Sequence, residues 1–177
     1  LYVDPLDPRS CYPNSKRLCE TLCASYKKEY GVSFCIARPG HVYGPTITQN
    51  DSRAHAQFSR SAKNQENIIM KSAGNQLRSY CYVIDCATAI LTILLDGTNG
   101  EPYNISNPNS IVTIEQMAKA FASAGNVKVI HETATKIEAE GYNRMSCSAL
   151  DAQKLLSLGW SAYFNMKDGA KHTLDAL

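Results

Sequence analysis

The sequence predicts an α/β fold in which helices cover a largely parallel β-sheet. An amphipathic helix pattern over residues 11–30 is followed by "VSFCIA" at 32–37, an almost uninterrupted apolar run. Such a run is typical of a strand that is buried on both faces of a parallel sheet. Through the rest of the chain, short strand patterns alternate with helix patterns, as they do in α/β layers. The composition, 44% hydrophobic and 19% charged, is that of an ordinary globular protein.

The first predicted helix has clear start and stop signals. Ser10 can cap its beginning, Pro13 falls in the first turn, and Gly31 is a good C-terminal stop. Apolar side chains recur on one face at helical spacing: Leu18, Cys19, Leu22, Cys23 and Tyr26. A helix followed by a buried strand is half of a βαβ unit. Residues 1–45 are therefore predicted to be the end of a Rossmann-type doubly wound parallel sheet.

The segment after the first strand, "RPGHVYGP" at 38–45, is rich in chain breakers and is predicted to be irregular. In open α/β sheets, the loops that follow the strands form the ligand crevice. This segment is therefore the first place to expect binding residues.

The remaining elements are short and alternate, which predicts a small α/β lobe over residues 46–177. A polar helix is expected at 51–64, and "RSYCYV" at 78–83 is expected to be a strand with alternating faces. Further strands are predicted at "NIIMK" (67–71), "YNIS" (103–106) and "VKVIHE" (127–132). The helix signals are an Asp85 cap with a Gly97 stop, a Thr113–Gln116 capping box with a Gly125 stop, Ser148 and Asp151 with a Gly159 stop, and an Asn165 cap.

Charge and composition argue against several classes of function. The net charge is +2 with both signs interspersed, so we expect neither a nucleic-acid nor a membrane partner. The seven cysteines form no C-x-x-C pair, and we expect no metal site. Cys19 and Cys23, four residues apart, could face one metal, but small buried apolar side chains are the simpler interpretation. Unpaired cysteines without a secretory signal favour a cytoplasmic location.

Tyr12 and Lys16 lie four positions apart in "CYPNSKR", so they share one face of the first helix. A tyrosine normally loses its proton near pH 10, and a nearby ammonium favours the phenolate. A tyrosine activated in this way can take a proton from an alcohol while a hydride leaves the same carbon. The pair therefore fits a dehydrogenase, although this spacing also arises by chance on ordinary exposed helices.

Five ordered segments strengthen that interpretation. "DPLDPRSCYPNSKRLCE", "CIARPGHVYGP", "GNQLRSYCYVIDCATAI", "YNIS" and the pair "TIEQMAKAF" and "DAQKLLSLGW" follow one another along nearly the whole chain. In this order they resemble the extended short-chain dehydrogenase/reductase family, the NAD-dependent nucleotide-sugar epimerases and dehydratases. The resemblance implies a Rossmann-type sheet with a small substrate-binding lobe, NAD as cofactor and a nucleotide-diphosphate sugar as substrate.

The resemblance also implies roles for particular residues. Tyr12 would be the general base and acid, and Lys16 would bind the cofactor ribose and tune Tyr12. Glu20 occupies the place that the family's glutamate takes one turn further on. Arg38 and Pro39 would lie beside the nicotinamide and the sugar, and so would contact the cofactor.

The substrate contacts implied by the resemblance are His41, Arg78 and Arg144. Arg78 would contact the substrate diphosphate, since a planar guanidinium matches phosphate oxygens. Arg144 would be a second diphosphate or nucleotide contact. His41 stands where the family usually has asparagine, and a neutral imidazole offers only one donor and one acceptor. Asp85 would be structural, as a helix cap.

Two parts of the family pattern do not occur in this sequence: the Gly-rich phosphate loop, and the serine or threonine that precedes the tyrosine. The chain also starts without methionine inside a turn-rich segment, so we expect it to be the C-terminal portion of a longer enzyme and inactive alone. Epimerase, dehydratase and decarboxylase remain open, and we favour an epimerase. The alternatives are a non-catalytic ligand sensor of the same superfamily and an NADPH-dependent reductase. The full-length protein is expected to be a homodimer.

Overall fold

The computed structural model describes residues 4, 6–135 and 145–177. Its helices are α1 (Cys11–Tyr30), α2 (Ala54–Lys63), α3 (Val83–Asp96), α4 (Ile114–Gly125), α5 (Gln153–Leu156) and α6 (Met166–Ala176). Its strands are β1 (Ile36–Pro39), β2 (His41–Tyr43), β3 (Ile68–Met70), β4 (Leu77–Tyr82), β5 (Pro102–Ile105), β6 (Ile111–Thr113), β7 (Val129–His131) and β8 (Cys147–Ser148). From α1 to α4, each helix is separated from the next by two strands, so helical and strand segments alternate as the sequence predicts.

Most strand pairs are parallel. β1 pairs with β5, β3 pairs with β7, and β4 lies between β2 and β6 with β8 also pairing with it. Only the β4–β6 pairing is antiparallel among these described pairs. The register sets His41 opposite Tyr80. This pairing brings the predicted substrate residue His41 next to the strand that carries Arg78.

Two apolar clusters form the core of the described residues. The larger one packs α2, α4 and α6 against the aromatic side chains of Tyr43, Tyr80 and Tyr82. The smaller one joins α3 to β5 and to the segment that ends at Trp160. Tyr80 and Tyr82 are both buried and therefore act as packing residues.

The predicted strand over 32–37 is wrong in both position and burial. β1 begins at Ile36, and its residues are exposed or only half-buried. A parallel strand is buried on both faces only where neighbouring layers cover it, and an apolar run alone does not supply those layers. The first helix has the predicted bounds, but none of its residues is buried. Its predicted apolar face therefore points away from the described core.

The prediction that "RPGHVYGP" is irregular is also wrong. Arg38 and Pro39 complete β1, and β2 begins two residues later. At Gly40 the chain passes from pairing with β5 to pairing with β4, and the Gly40 N–H still donates to the Ile105 carbonyl of β5 at 3.0 Å. A Cβ there would come within 2.8 Å of the Ser79 carbonyl oxygen, so only glycine fits without movement. Long-range pairing thus overrides the local breakers.

The predicted caps give mixed results. The Thr113–Gln116 capping box is present in full, and the Asn165 side chain accepts from the Asp168 N–H. The predicted Ser10 cap is wrong, because its side chain forms no cap bond with α1. Asp85 does not cap α3 either. It lies inside the first turn, and its carboxylate accepts from the backbone N–H groups of Tyr163 and Phe164, at 2.9 and 3.0 Å. Its role is still structural, because it ties the chain before α6 to α3.

Three further element predictions are corrected. The helix expected from Ser148 or Asp151 to Gly159 is a single turn, α5, although Asp151 does accept from the Gln153 N–H at 2.8 Å. The helix expected to be polar, α2, turns five of its residues inward. The strand predicted over 78–83 is β4, which begins and ends one residue earlier and is buried on both faces beyond Leu77.

Candidate active site

A cleft of about 460 Å³ lies between the start of α1, the β1–β2 junction and the start of α2. Its lining comprises Tyr12, Pro39, Gly40, His41, Val42, Arg53, His55, Ser148 and Leu150. Three residues that the sequence predicts for the site, Tyr12, Pro39 and His41, therefore share one cavity. Pro39 is the last residue of β1 and His41 is the first residue of β2, so the cleft lies at the junction of these two strands.

Tyr12 and Lys16 are held together by the first turns of α1. The Lys16 ammonium nitrogen lies 5.6 Å from the centroid of the Tyr12 ring. Tyr12 is 71% exposed, so its hydroxyl is accessible from the cleft. Among the described residues, the Lys16 ammonium has no hydrogen-bond or carboxylate partner. The ammonium is thus available to a ligand while it stays beside the phenol.

Arg38 is paired with Glu20. Its Nε donates to Oε1 at 2.7 Å and its Nη2 donates to Oε2 at 2.5 Å, which is a two-pronged ion pair between β1 and α1. The hydrogen bond from Arg38 lowers the pKa of Glu20, and the same bond raises the pKa of Arg38. The guanidinium of Arg38 points towards α1, whereas the neighbouring Pro39 lines the cleft.

His41 projects into the cleft from β2, with its ring centroid 5.5 Å from that of Tyr80. Burial lowers the pKa of His41, and the positive charge of Arg78 lowers it further. Both effects favour the neutral imidazole. His41 can therefore donate one hydrogen bond and accept one at neutral pH.

Arg78 is only 4% exposed. It donates to the backbone carbonyls of Leu77 and Met145, at 2.9 and 2.8 Å. Its charge thus lies behind the wall of the cleft, close enough to His41 to act on its pKa. Arg144, the second predicted arginine, lies outside the described residues.

Arg53 and His55 line the cleft but had no predicted role. Arg53 pairs with Asp51, while His55 is buried and only 7% exposed. A usable signal was present in the sequence: His55, Phe58 and Ala62 fall on one face of α2. A buried imidazole on the apolar face of a helix needs a hydrogen-bond partner, so such a histidine is a candidate ligand-binding residue.

No helix in the described part of the chain is long and apolar enough to cross a membrane. Within the same residues, no group of three or more histidine, cysteine, aspartate or glutamate side chains is placed to hold a metal ion.

The parallel strand pairs and the helices packed on them define an α/β protein. The model of the NAD dependent epimerase/dehydratase family matches residues 2–106, more than half of the chain, and the chain belongs to this family. UDP-glucuronic acid decarboxylase 1 of Xenopus tropicalis is 30% identical to it over 175 residues, which are 98% of this chain and 40% of that relative. The chain therefore spans less than half the length of this curated relative.

Solved structures share the fold. UDP-glucose 4-epimerase from Thermotoga maritima, solved with UDP-glucose, matches with a TM-score of 0.80 and 23% identity, over 93% of this chain and 52% of that chain. UDP-glucuronic acid 4-epimerase from Bacillus cereus, in complex with UDP-glucuronic acid and NAD, matches with a TM-score of 0.76 and 20% identity, over 99% and 54%. The predicted Rossmann-type fold class is confirmed.

Proposed function

We propose that this chain carries the acid–base pair and the substrate-binding lobe of an NAD-dependent enzyme that oxidises a nucleotide-diphosphate sugar. One observation carries the proposal. Tyr12 and Lys16 lie one helical turn apart on α1, and Tyr12 lines the same cleft as Pro39 and His41. Membership of the NAD dependent epimerase/dehydratase family supports the cofactor and the reaction class.

Lys16, one helical turn from the cleft residue Tyr12, fits a role in holding NAD. Lys16 has an exposed ammonium without a partner among the described residues, as hydrogen bonds to ribose hydroxyls require. When bound, NAD accepts the hydride that leaves the sugar carbon. Tyr12, as phenolate, takes the proton from the hydroxyl on that carbon, so the C–O bond becomes a carbonyl and Tyr12 ends protonated. Lys16 stabilises the phenolate through its charge. Pro39 shapes the wall beside the reacting carbon.

The anionic part of the substrate would be held by positive charge. Arg53 lines the cleft and Arg78 lies just behind His41, so a diphosphate in the cleft gains from both charges. We assign Arg78 and Arg144 to the diphosphate or nucleotide, and His41 to a neutral polar group of the substrate. Arg38 would support the cofactor contact through its neighbour Pro39 and through Glu20.

The keto sugar can then be reduced on its other face, lose water or lose carbon dioxide. Epimerisation requires only that Tyr12 returns its proton to the carbonyl oxygen while the hydride returns to the carbon. Decarboxylation is the second candidate, because the relative from Xenopus tropicalis is a UDP-glucuronic acid decarboxylase with 30% identity. A keto group next to the carbon that bears the carboxylate would stabilise the resulting carbanion.

Three further features belong to this proposal. We assign residues 1–45 to the cofactor domain and residues 46–177 mainly to the substrate lobe.

A homodimer is supported by the exposed apolar side chains of α1, among them Leu18, Leu22 and Tyr26. A reducing compartment such as the cytoplasm is supported by the seven cysteines, all of which are unpaired.

The test is an assay of the full-length protein with NAD and a panel of UDP-glucose, UDP-glucuronic acid and dTDP-glucose, with products resolved by NMR. An epimer, a dehydrated keto sugar or a pentose with carbon dioxide would support the proposal and identify the second step. Binding of a nucleotide sugar with no product from any of them would favour the non-catalytic sensor. Stoichiometric consumption of NADPH would favour the reductase.

A further inference from the structure

His55 is a buried polar side chain on α2, close to the start of that helix. It is only 7% exposed, and no described residue forms a hydrogen bond with its ring nitrogens. Buried polar side chains are hydrogen-bonded in the large majority of native structures, so a polar group left open needs an explanation. Neither imidazole nitrogen is sealed off from solvent, since neither belongs to the fully buried unsatisfied atoms of the described residues. The open side of the ring therefore faces a cavity.

The cavities that His55 faces adjoin each other. It lines the candidate active-site cleft of about 460 Å³ and also a neighbouring cavity of about 240 Å³ behind the β2–α2 connection. Val42 and Arg53 line both cavities as well, so these three residues form the wall between them. A molecule bound in the larger cleft would therefore have both Tyr12 and His55 in its wall.

The environment of His55 keeps its ring neutral. Burial lowers the pKa of His55 to about 4, and the positive charge of Arg53 acts in the same direction. Asp51 opposes the shift, while His41 and Arg60 add smaller contributions that also lower the pKa. A neutral imidazole carries one donor and one acceptor, which is the pairing that a hydroxyl group satisfies. A diphosphate would instead prefer the charged guanidinium of Arg53 or Arg78.

We propose that His55 is a specificity-determining residue that hydrogen-bonds a hydroxyl of the sugar ring of the nucleotide sugar. The inference rests on the proposed function, because it takes the sugar to be the part of the substrate beside Tyr12. His55 and Tyr12 line the same cleft, which is why the sugar, and not the nucleotide, is assigned to His55. A substrate without that hydroxyl would leave the buried imidazole unsatisfied and would bind more weakly.

The test compares binding of UDP-glucose, UDP-glucuronic acid and UDP to the full-length protein by calorimetry. His55→Leu removes both hydrogen-bonding nitrogens at similar volume. We expect the affinity for the tighter UDP-sugar to fall roughly 5- to 150-fold, the effect of one buried hydrogen-bonding group left unpaired. The affinity for UDP should change less than about twofold, because UDP carries no sugar for His55 to contact.

Two kinds of control make the result specific. His55→Asn and His55→Gln keep an amide at the position of one or the other ring nitrogen, and one of them should restore much of the lost affinity. His131→Leu is the matched control, because His131 is exposed on β7 and does not line the cleft. The His131→Leu variant should bind UDP-glucose, UDP-glucuronic acid and UDP with wild-type affinity.

The outcomes separate this inference from the proposed function. Equal losses for UDP and the UDP-sugar, or no loss with His55→Leu while the wild type turns the sugar over, would overturn the inference and leave the proposed function standing. A wild-type protein that binds none of the sugars would overturn both.

Discussion

The guanidinium of Arg38 on β1 meets the carboxylate of Glu20 on α1 through two hydrogen bonds, at 2.7 and 2.5 Å. This pair connects the helix that carries Tyr12 and Lys16 to the strand that leads into the cleft. None of the residues of α1 is buried. The helix is further joined to the chain by Lys27, whose ammonium donates to the Asn99 carbonyl at 2.9 Å. Polar contacts thus set the position of α1 relative to the described core.

We expect Glu20→Gln in the full-length protein to lower kcat about 10- to 100-fold with little change in KM, because it displaces Tyr12 relative to the sugar carbon. The free energy of unfolding should change by less than about 1 kcal/mol, since the pair is partly exposed to solvent. Steady-state kinetics and denaturant titration measure both quantities.

Glu101→Gln is the matched control for Glu20→Gln. It breaks a comparable exposed ion pair, between Glu101 and Lys154, that lies outside the cleft lining. A charge swap, Glu20→Arg with Arg38→Glu, should recover part of the lost kcat. A Glu20→Gln variant with wild-type kcat would show that the pair does not position Tyr12.

The buried His55 should make stability depend on pH. Its pKa is lowered to about 4 in the folded state, against about 6.5 in the unfolded chain. Between these values the unfolded state binds more protons, so the free energy of unfolding falls as the pH drops from 6.5 and levels off below 4. The loss from His55 is on the order of 3 kcal/mol.

Denaturant titrations of the full-length protein between pH 4 and 7.5 measure this loss, with His55→Gln as the reference. The difference between the two proteins should grow as the pH falls. His41, Arg53, Arg60 and Asp51 remain in both proteins, so their own titrations largely cancel. Parallel curves for the two proteins would contradict the neutral state assigned to His55.

The cysteines should fall into two classes of thiol reactivity. Burial raises the pKa of Cys81 to about 12 and also raises the pKa of Cys86. Cys11, Cys19 and Cys147 are exposed. Because the thiolate is the reactive form, native protein at pH 8 should be alkylated at the exposed positions and not at Cys81 or Cys86.

Peptide mass spectrometry after iodoacetamide treatment locates the modified cysteines. All seven should react once the protein is unfolded in denaturant, which serves as the internal control. Early modification of Cys81 in the native protein would contradict the packing of β4 against α3.

The features that could be predicted from sequence are those that a few neighbouring residues decide. The Thr113–Gln116 capping box and the Asn165 cap are formed within one helical turn, so their residues suffice to predict them. The end of α1 follows in the same way from Gly31, which adopts the left-handed conformation, whereas the predicted Ser10 cap is not formed by its side chain. The resemblance to a known family was likewise visible in short ordered segments.

The features that were missed depend on distant partners. "RPGHVYGP" forms strands because Arg38 pairs with Asn104 and His41 with Tyr80, and no local rule reveals these partners. The carboxylate of Asp85 is committed to Tyr163 and Phe164, far along the chain. His55 became notable only when its burial and its place on the cleft were known. Local propensity yields to such contacts wherever tertiary pairing contributes more free energy.

The central claim is that Tyr12 performs the proton transfer. Tyr12→Phe in the full-length protein removes the hydroxyl and keeps the ring over which the Lys16 ammonium lies. Tyr30→Phe is the matched control, an exposed tyrosine at the far end of the same helix. The measurement is kcat for the nucleotide sugar alongside its dissociation constant. We predict that Tyr12→Phe lowers kcat about 10²- to 10⁴-fold with the dissociation constant within about threefold of wild type. A Tyr12→Phe enzyme that keeps a tenth or more of the wild-type kcat would contradict the account.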